Sequence, residues 1–191
     1  MRVGVFALQG DVREHLQLLT SLGVESIEVR NAEQLATVDG LIIPGGESTT
    51  ISKLIDIFGL RDALLDYISS GNPVYGTCAG MIMLASEVLD AASGQQSLNA
   101  MDISVRRNAF GSQLDSFEAS IEFAGRTVAA AFIRAPIVER VGEQVQVLSK
   151  LSSGAIVAVR QGSLLATSFH PELTGDGAVH EYFLGMISKT H

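Results

Sequence analysis

The 191-residue sequence predicts an α/β fold, a three-layer sandwich whose mostly parallel central sheet has an antiparallel portion in its second half. Three observations predict it. In the first half, short apolar runs alternate with amphipathic helical patterns, and parallel strands require such crossovers. Beyond Ala100 the apolar period shortens toward two, with turn signals close together. A hydrophobic fraction of 47% against 18% charged residues is enough to build a buried core.

Each element has a local reason. Arg2 to Leu8 reads as a buried strand. Asp11 and Glu14 have capping-box spacing ahead of Val12, Leu16, Leu19 and Leu22, and Gly23 suits a helix stop. Ile27 and Val29 mark a second strand. Gly40 to Ile43 is a third, ended by Pro44-Gly45-Gly46. Ile51, Leu54, Ile55 and Phe58 share one helix face, with Ser48 or Thr49 as the cap. Leu64, Leu65 and Ile68 mark the next helix, closed by Gly71-Asn72-Pro73. Val74 to Gly76 is a fourth strand and Ala79 to Leu89 a helix. Ala91 to Ala100, small and polar, reads as a loop. Phe117, Ala119, Ile121 and Phe123 alternate as on one strand face. Val145 to Val147 and Ile156 to Val159 flank "KLSSGA", a hairpin signal. Leu164 to Phe169 is the last strand, and Val179, Phe183, Met186 and Ile187 define a closing helix. Residues 1–191 are expected to form a single domain.

The net charge of −8 argues against a nucleic-acid surface, which needs a basic stripe. The apolar runs, such as Leu41 to Ile43 and Val128 to Ile133, are far too short to span a bilayer. The opening "MRVGVFALQGD" lacks a small-residue cleavage pattern and reads as a strand, not a signal peptide. Cys78 is the only cysteine, so no internal disulfide can form, and a cytoplasmic location is expected.

That cysteine lies in "GTCAG", Gly76 to Gly80, the thiol counterpart of a G-x-S-x-G elbow. A sharp strand-to-helix turn lifts the central side chain clear of the sheet, and the glycines remove side chains that would crowd it. The helix N-terminus that follows favours a thiolate and offers free N–H groups to an oxyanion. Taken alone, a single cysteine in a cytosolic protein reads as a small buried hydrophobe, so a catalytic reading needs a base. "SFHPEL" supplies one. His170 ends an apolar strand, Pro171 keeps it extended, and Glu172 can reach back to the imidazole. Cys78, His170 and Glu172 then form a nucleophile–base–carboxylate triad. His15, His180 and His191 end no strand and read as solvated or capping residues. No pair of histidines has metal spacing, and no metal is expected. "IIPGGESTT", Ile42 to Thr50, lacks the phosphate-loop order. Its glycines allow close backbone approach to a ligand, which fits a second oxyanion donor or a plain strand-to-helix turn.

In this order on an α/β scaffold, P-G-G-E-S, G-T-C-A-G and F-H-P-E resemble the class I, triad-type glutamine amidotransferases. "ALQGDVREH", "PGGESTT", "RRNAFGSQ" (Arg106 to Gln113), "SFE" (Ser116 to Glu118), "FIRAP" (Phe132 to Pro136) and "SFHPELT" further resemble the glutaminase subunits of pyridoxal 5′-phosphate synthase, nearly end to end. The resemblance implies a flavodoxin-like sheet and hydrolysis of L-glutamine to glutamate and ammonia. It assigns the oxyanion hole to the backbone at Gly46 and Ala79. Glutamine would be held by Gly46, Glu47, Ser48, Arg107, Ile133 and Arg134, where an arginine fork suits the α-carboxylate. Arg106 stands where the family often has an acidic residue, and reads as a solvated strand position. The implied partner is a TIM-barrel synthase subunit in a large hetero-oligomer, with Gln9 as a candidate sensor of its docking. No cofactor is implied. The rival readings are another cysteine hydrolase or peptidase on the same fold, and a non-catalytic regulatory subunit.

Overall fold

The computed structural model describes residues 1–110 and 116–189. Its first half winds β1 (Arg2–Phe6), α1 (Val12–Ser21), β2 (Glu25–Val29), α2 (Ala32–Leu35), β3 (Gly40–Ile43), α3 (Ser48–Ile57), α4 (Arg61–Ser69), β4 (Val74–Thr77) and α5 (Ala79–Leu84). There follow β5 (Ala85–Val88), β6 (Met101–Arg106), β7 (Ser116–Phe123), β8 (Arg126–Ile133), β9 (Ile137–Val141), β10 (Gln146–Lys150), β11 (Ile156–Gln161) and β12 (Leu164–Thr167). The chain closes with α6 (Pro171–Thr174) and α7 (Ala178–Ile187).

Among the described residues, one large sheet runs β2-β1-β3-β4-β12-β11-β9-β6-β5, with β10 added on β11. The run from β2 to β12 is parallel. This is the flavodoxin-like order with β12 as its fifth strand, and it opens a crevice where the connections leave β1 and β3 in opposite directions. The sheet turns antiparallel at β11, and β7 and β8 form a separate antiparallel hairpin. The two faces bury distinct cores. One gathers Phe6, Leu41, Ile43, Ile51, Val74 and Met83. The other gathers Val3, Val5, Tyr75, Phe132, Phe169 and Phe183. No helix among the described residues is long and apolar enough to cross a membrane.

Several local expectations need correction. The helix after Cys78 stops at Leu84, not Leu89, and the chain turns into β5. The Leu98 and Ala100 N–H groups bond the Met83 and Leu84 carbonyls, so the intervening loop doubles back onto the helix end. Asp11 makes no side-chain cap, so the capping box does not form. Its carboxylate turns toward His170 instead, 3.4 Å from Nδ1. Helix α3 is capped by Glu47, not by Ser48 or Thr49. The Glu47 carboxylate accepts from the N–H groups of Thr49 (3.0 Å) and Thr50 (2.7 Å). The last strand ends at Thr167, and His170 is the N-cap of α6 with Pro171 in the first turn. Part of the "RRNAFGSQ" stretch, residues 111–113, lies outside the described residues, as does His191.

Candidate active site

Strand β4 delivers Cys78 at φ 47° and ψ −100°, a strained conformation for any residue with a side chain. The flanking glycines are required sterically. A Cβ on Gly76 would strike the Gly80 backbone, and one on Gly80 would strike the Ile43 carbonyl. The Cys78 N–H is held by the Thr167 carbonyl at 2.8 Å, which ties the elbow to β12. The first free N–H of α5 is therefore that of Ala79, because a helix's opening N–H groups have no intrahelical partner. The thiol faces the Ile133 carbonyl at 3.8 Å.

His170 stands across from the elbow. Its N–H donates to the Ala131 carbonyl of β8 at 2.8 Å, which fixes the backbone after β12 ends. Its Nδ1 meets Glu172 Oε1 at 2.7 Å, and Asp11 Oδ2 lies farther off at 3.4 Å. With Nδ1 so engaged, Nε2 is left for Cys78. Burial pushes the imidazole pKa down, but hydrogen bonds to Asp11, Cys78 and Glu172 outweigh it and raise it. Burial pushes the Glu172 carboxyl up, and its bond to His170 opposes that rise. Asp11, His170 and Glu172 could each offer one ligand atom, all within 4.8 Å of one another. A metal there would have to displace the short His170–Glu172 bond.

A cleft of about 400 Å³ opens over these groups. It is lined by Gly46, Glu47, Ser48, Cys78, Ala79, Arg107, Ile133, Arg134 and His170. Thus the residues assigned from sequence to the nucleophile, the base, the oxyanion hole and the substrate surround one space. Glu172 lies behind His170 and is buried. Arg107 reaches the cleft with Nη1 on Gln95 Oε1 at 2.7 Å, and Gln95 Nε2 donates to Ser48 Oγ at 2.9 Å. Arg106 points elsewhere, pairing with Glu139 at 2.7 Å. Asn108 and Arg134 both have positive φ, 44° and 46°, so the far rim is backbone-strained like the elbow.

Gln9 is beside the Gly-Gly turn. Its Oε1 accepts the Glu47 N–H at 2.9 Å. The Gly45 carbonyl accepts the Asp11 N–H at 3.0 Å, and in a trans peptide the Gly46 N–H then points to the opposite side. A Cβ on Gly10 would collide with that carbonyl, so the close approach of the two loops depends on glycine there.

Sequence reasoning missed Asp11, Asn108, Ile82 and Leu173 in the lining, and Gln95 as the link between Arg107 and Ser48. It also misplaced two histidines. His15 and His180 are neither solvated nor capping; both are fully buried. A signal was present. His15 falls three residues after Val12 and four before Leu19, and His180 three before Phe183 and seven before Ile187, so each lies on its helix's apolar stripe.

A cysteine elbow facing a histidine–carboxylate pair, at the carboxyl edge of a flavodoxin-like sheet, is the layout of triad-type glutamine amidotransferases. The comparisons fall in that class. The model of the SNO glutamine amidotransferase family matches residues 5–189, and the chain belongs to that family. Among its relatives are two proteins named pyridoxal 5′-phosphate synthase subunit PdxT. The one from Rhodococcus opacus (strain B4) is 55% identical, covering 97% of this chain and 96% of the relative. That from Dehalococcoides mccartyi (strain ATCC BAA-2100 / JCM 16839 / KCTC 5957 / BAV1) is 56% identical, covering 100% and 99%. A crystal structure described as a glutamine amidotransferase superposes with a TM-score of 0.92 at 47% identity, over 97% of this chain and 98% of that one. The crystal structure of a putative GMP synthase component from Thermoplasma acidophilum shares the fold, at TM-score 0.70 and 17% identity, over 100% and 95%.

Proposed function

We propose that this chain is the glutaminase subunit of a pyridoxal 5′-phosphate synthase. It hydrolyses L-glutamine and hands the ammonia to a synthase subunit. The observation that carries the mechanism is the strained Cys78 elbow beside the 2.7 Å His170–Glu172 pair. Cys78 Sγ attacks the side-chain amide carbon as a thiolate, and its proton rests on His170 Nε2. Glu172 stabilises the imidazolium and fixes its orientation. The oxyanion is met by the N–H groups of Gly46 and Ala79. His170 returns its proton to the departing nitrogen, ammonia leaves, and a thioester remains. Water, deprotonated by His170, then attacks the thioester and releases glutamate. Arg107 and Arg134 offer charge to the substrate's α-carboxylate, and Glu47 to its ammonium. The Ile133 backbone and Ser48 complete the lining.

The partner is a TIM-barrel synthase in a large hetero-oligomer, and the setting is cytoplasmic. The Gly45-Gly46 peptide is the element that partner docking acts on, with Gln9 as the sensor, because Gln9 bonds the residue that follows the turn. A docked partner needs only a few kcal/mol of differential affinity to shift such a peptide. The test is ammonia release from glutamine by the full chain, with and without the synthase partner, against peptide and ester substrates. Glutamine alone should be turned over, faster with the synthase, and Gln9→Ala should blunt that activation. Cleavage of peptides or esters in preference to glutamine would favour another hydrolase.

A further inference from the structure

Behind the triad lies a second, buried layer of polar side chains that the mechanism above does not use. His15 Nε2 is 3.5 Å from Glu172 Oε1 and 3.2 Å from Thr77 Oγ1. Its Nδ1 is 2.9 Å from His180 Nε2. Tyr75 packs edge-on against both imidazoles, and its hydroxyl meets Thr167 Oγ1 at 3.0 Å. Thr167 Oγ1 in turn donates to the carbonyl of Phe169, the residue before His170. His15, His180, Thr77, Thr167 and Tyr75 are fully buried.

The proton positions in this layer follow from elimination. Burial holds both histidines neutral, with His15 well below its ordinary pKa and His180 lowered to about 4. Each neutral ring carries one N–H. His180 Nδ1 has no hydrogen-bond partner among the described residues. A proton there would bury an orphan donor and turn a His15 lone pair toward the Glu172 carboxylate. The opposite wiring avoids both costs. His180 Nε2–H donates to His15 Nδ1, and His15 Nε2–H points at Thr77 Oγ1 and Glu172 Oε1. At 3.5 Å the contact with Glu172 is long for a hydrogen bond. Buried as both residues are, it still places the positive end of an N–H dipole against the carboxylate. Glu172 needs that, because its second oxygen, Oε2, is buried with no hydrogen-bond partner among the described residues.

We propose that His15, locked in one tautomer by His180, is a positioning residue for the reaction: it keeps Glu172 ionised and in place, so that Glu172 can hold His170. The proposal rests on the triad reading. The groups facing Glu172 are His170, His15, Asp11 and Tyr75; those facing His15 are His180, His170, Thr77, Tyr75 and Glu172. Removing the His15 N–H makes Glu172 easier to protonate. The His170 imidazolium then loses its stabiliser, its pKa falls, and the Cys78 thiolate requires a higher pH to form.

The experiment is the pH dependence of Cys78 alkylation by iodoacetamide in the full-length chain, with glutamine protection as the control for the site, alongside kcat and KM with the synthase present. His15→Leu fills the volume but removes the N–H. Its alkylation midpoint should rise and its kcat fall about 10- to 100-fold, by analogy with the outer partners of metal-binding histidines, while KM changes little. His15→Gln places an amide N–H near the same point and should recover most of both. His180→Leu should shift the midpoint in the same direction by less, and carries the test if His15→Leu does not fold. An unmoved midpoint in the folded variants, or equal impairment in His15→Leu and His15→Gln, overturns the proposal. Alkylation of wild type that glutamine does not block sinks the triad reading itself, and the two failures are told apart by that control.

Discussion

Two walls face each other across the cleft, and they come from different halves of the chain. The near wall is built at the carboxyl ends of β3, β4 and β12, in the parallel part of the sheet. It holds the Gly45-Gly46 turn, Cys78, and His170 with Glu172. Three of their backbone groups are tied across loops: the Gly45 carbonyl to the Asp11 N–H, the Cys78 N–H to Thr167 and the His170 N–H to Ala131. The far wall follows β6 and β8, in the antiparallel part. It holds Arg107, Ile133 and Arg134, which are more open to solvent, and two of its residues sit in left-handed backbone. The difference teaches a division of labour. A fixed wall suits groups that must hold reacting atoms within tenths of an ångström. A wall of long side chains suits recognition of a flexible amino acid. Substitutions on the near wall should therefore cut kcat, and those on the far wall should raise KM.

The largest effect should come from the near wall's centre. Cys78→Ala removes the nucleophile, and glutaminase activity should drop below detection, as much as on the order of 10⁶-fold by analogy with other nucleophile deletions. The fold should survive, because the change is small. His170→Asn should be nearly as severe, and Glu172→Gln milder, since that variant keeps the base and loses only orientation and imidazolium stabilisation. Steady-state ammonia release with the synthase present measures all three. A Glu172 variant worse than the His170 variant would reverse the roles assigned here.

The next effect separates the two walls more finely. Gly46→Ala should lower turnover more than it weakens glutamine binding, by roughly 3–4 kcal/mol if one oxyanion donor is lost. A Cβ at Gly46 would collide with Gln9 Oε1, so the alanine also displaces the side chain that bonds Glu47. Gln9→Ala alone isolates that part. If Gly46→Ala raised KM and left kcat unchanged, the turn would belong to the recognition wall.

The two walls also differed in how well the sequence announced them. The elbow is a compact device: a Cβ at Gly76 would strike the Gly80 backbone within the same turn, and one at Gly80 would strike the adjacent strand β3 at Ile43, so the two flanking glycines announce it in five residues. His170 and Glu172 are likewise two residues apart. The parallel strands followed from their apolar runs and the helices between them. The far wall has no such local signature. Arg107 and Arg134 come together through strands that pair across long sequence separations, and only family resemblance pointed to them. Strands β6 and β9 were not delimited from the sequence, and β5 was read as helix. Its fate is decided by pairing with β6 and not by its own residues. Asp11 was read as a cap because Glu14 follows it at the right spacing, yet the nearby imidazole takes its carboxylate. Tertiary partners of that kind leave no trace in the spacing of residues.

The smallest expected effect comes from two adjacent arginines at the far wall. Arg106 is the last residue of β6, and Arg107 is the first beyond it. Successive side chains along a strand point to opposite sides, so one step separates a solvent position from the cleft. Arg106 Nε meets Glu139 Oε1 at 2.7 Å across the β6–β9 pair, in an exposed position. Such pairs contribute little to stability or binding. Arg107 is fixed at both ends: its N–H bonds Asp90 Oδ1 at 2.9 Å, and its Nη1 bonds Gln95 Oε1 at 2.7 Å. Among the described residues no further bond of its guanidinium is seen, and the group lines the cleft where a carboxylate could meet it. Arg107→Ala should raise KM for glutamine about 10- to 100-fold, the value of one charge-assisted hydrogen bond at ~1.5–3 kcal/mol, with kcat nearly unchanged. Arg106→Ala should leave both constants within about a factor of two. Glutamine saturation curves for the two variants decide it. If Arg106→Ala raised KM and Arg107→Ala did not, the substrate's carboxylate would be held from the outer face of β6, and the far wall would have to be redrawn around that residue.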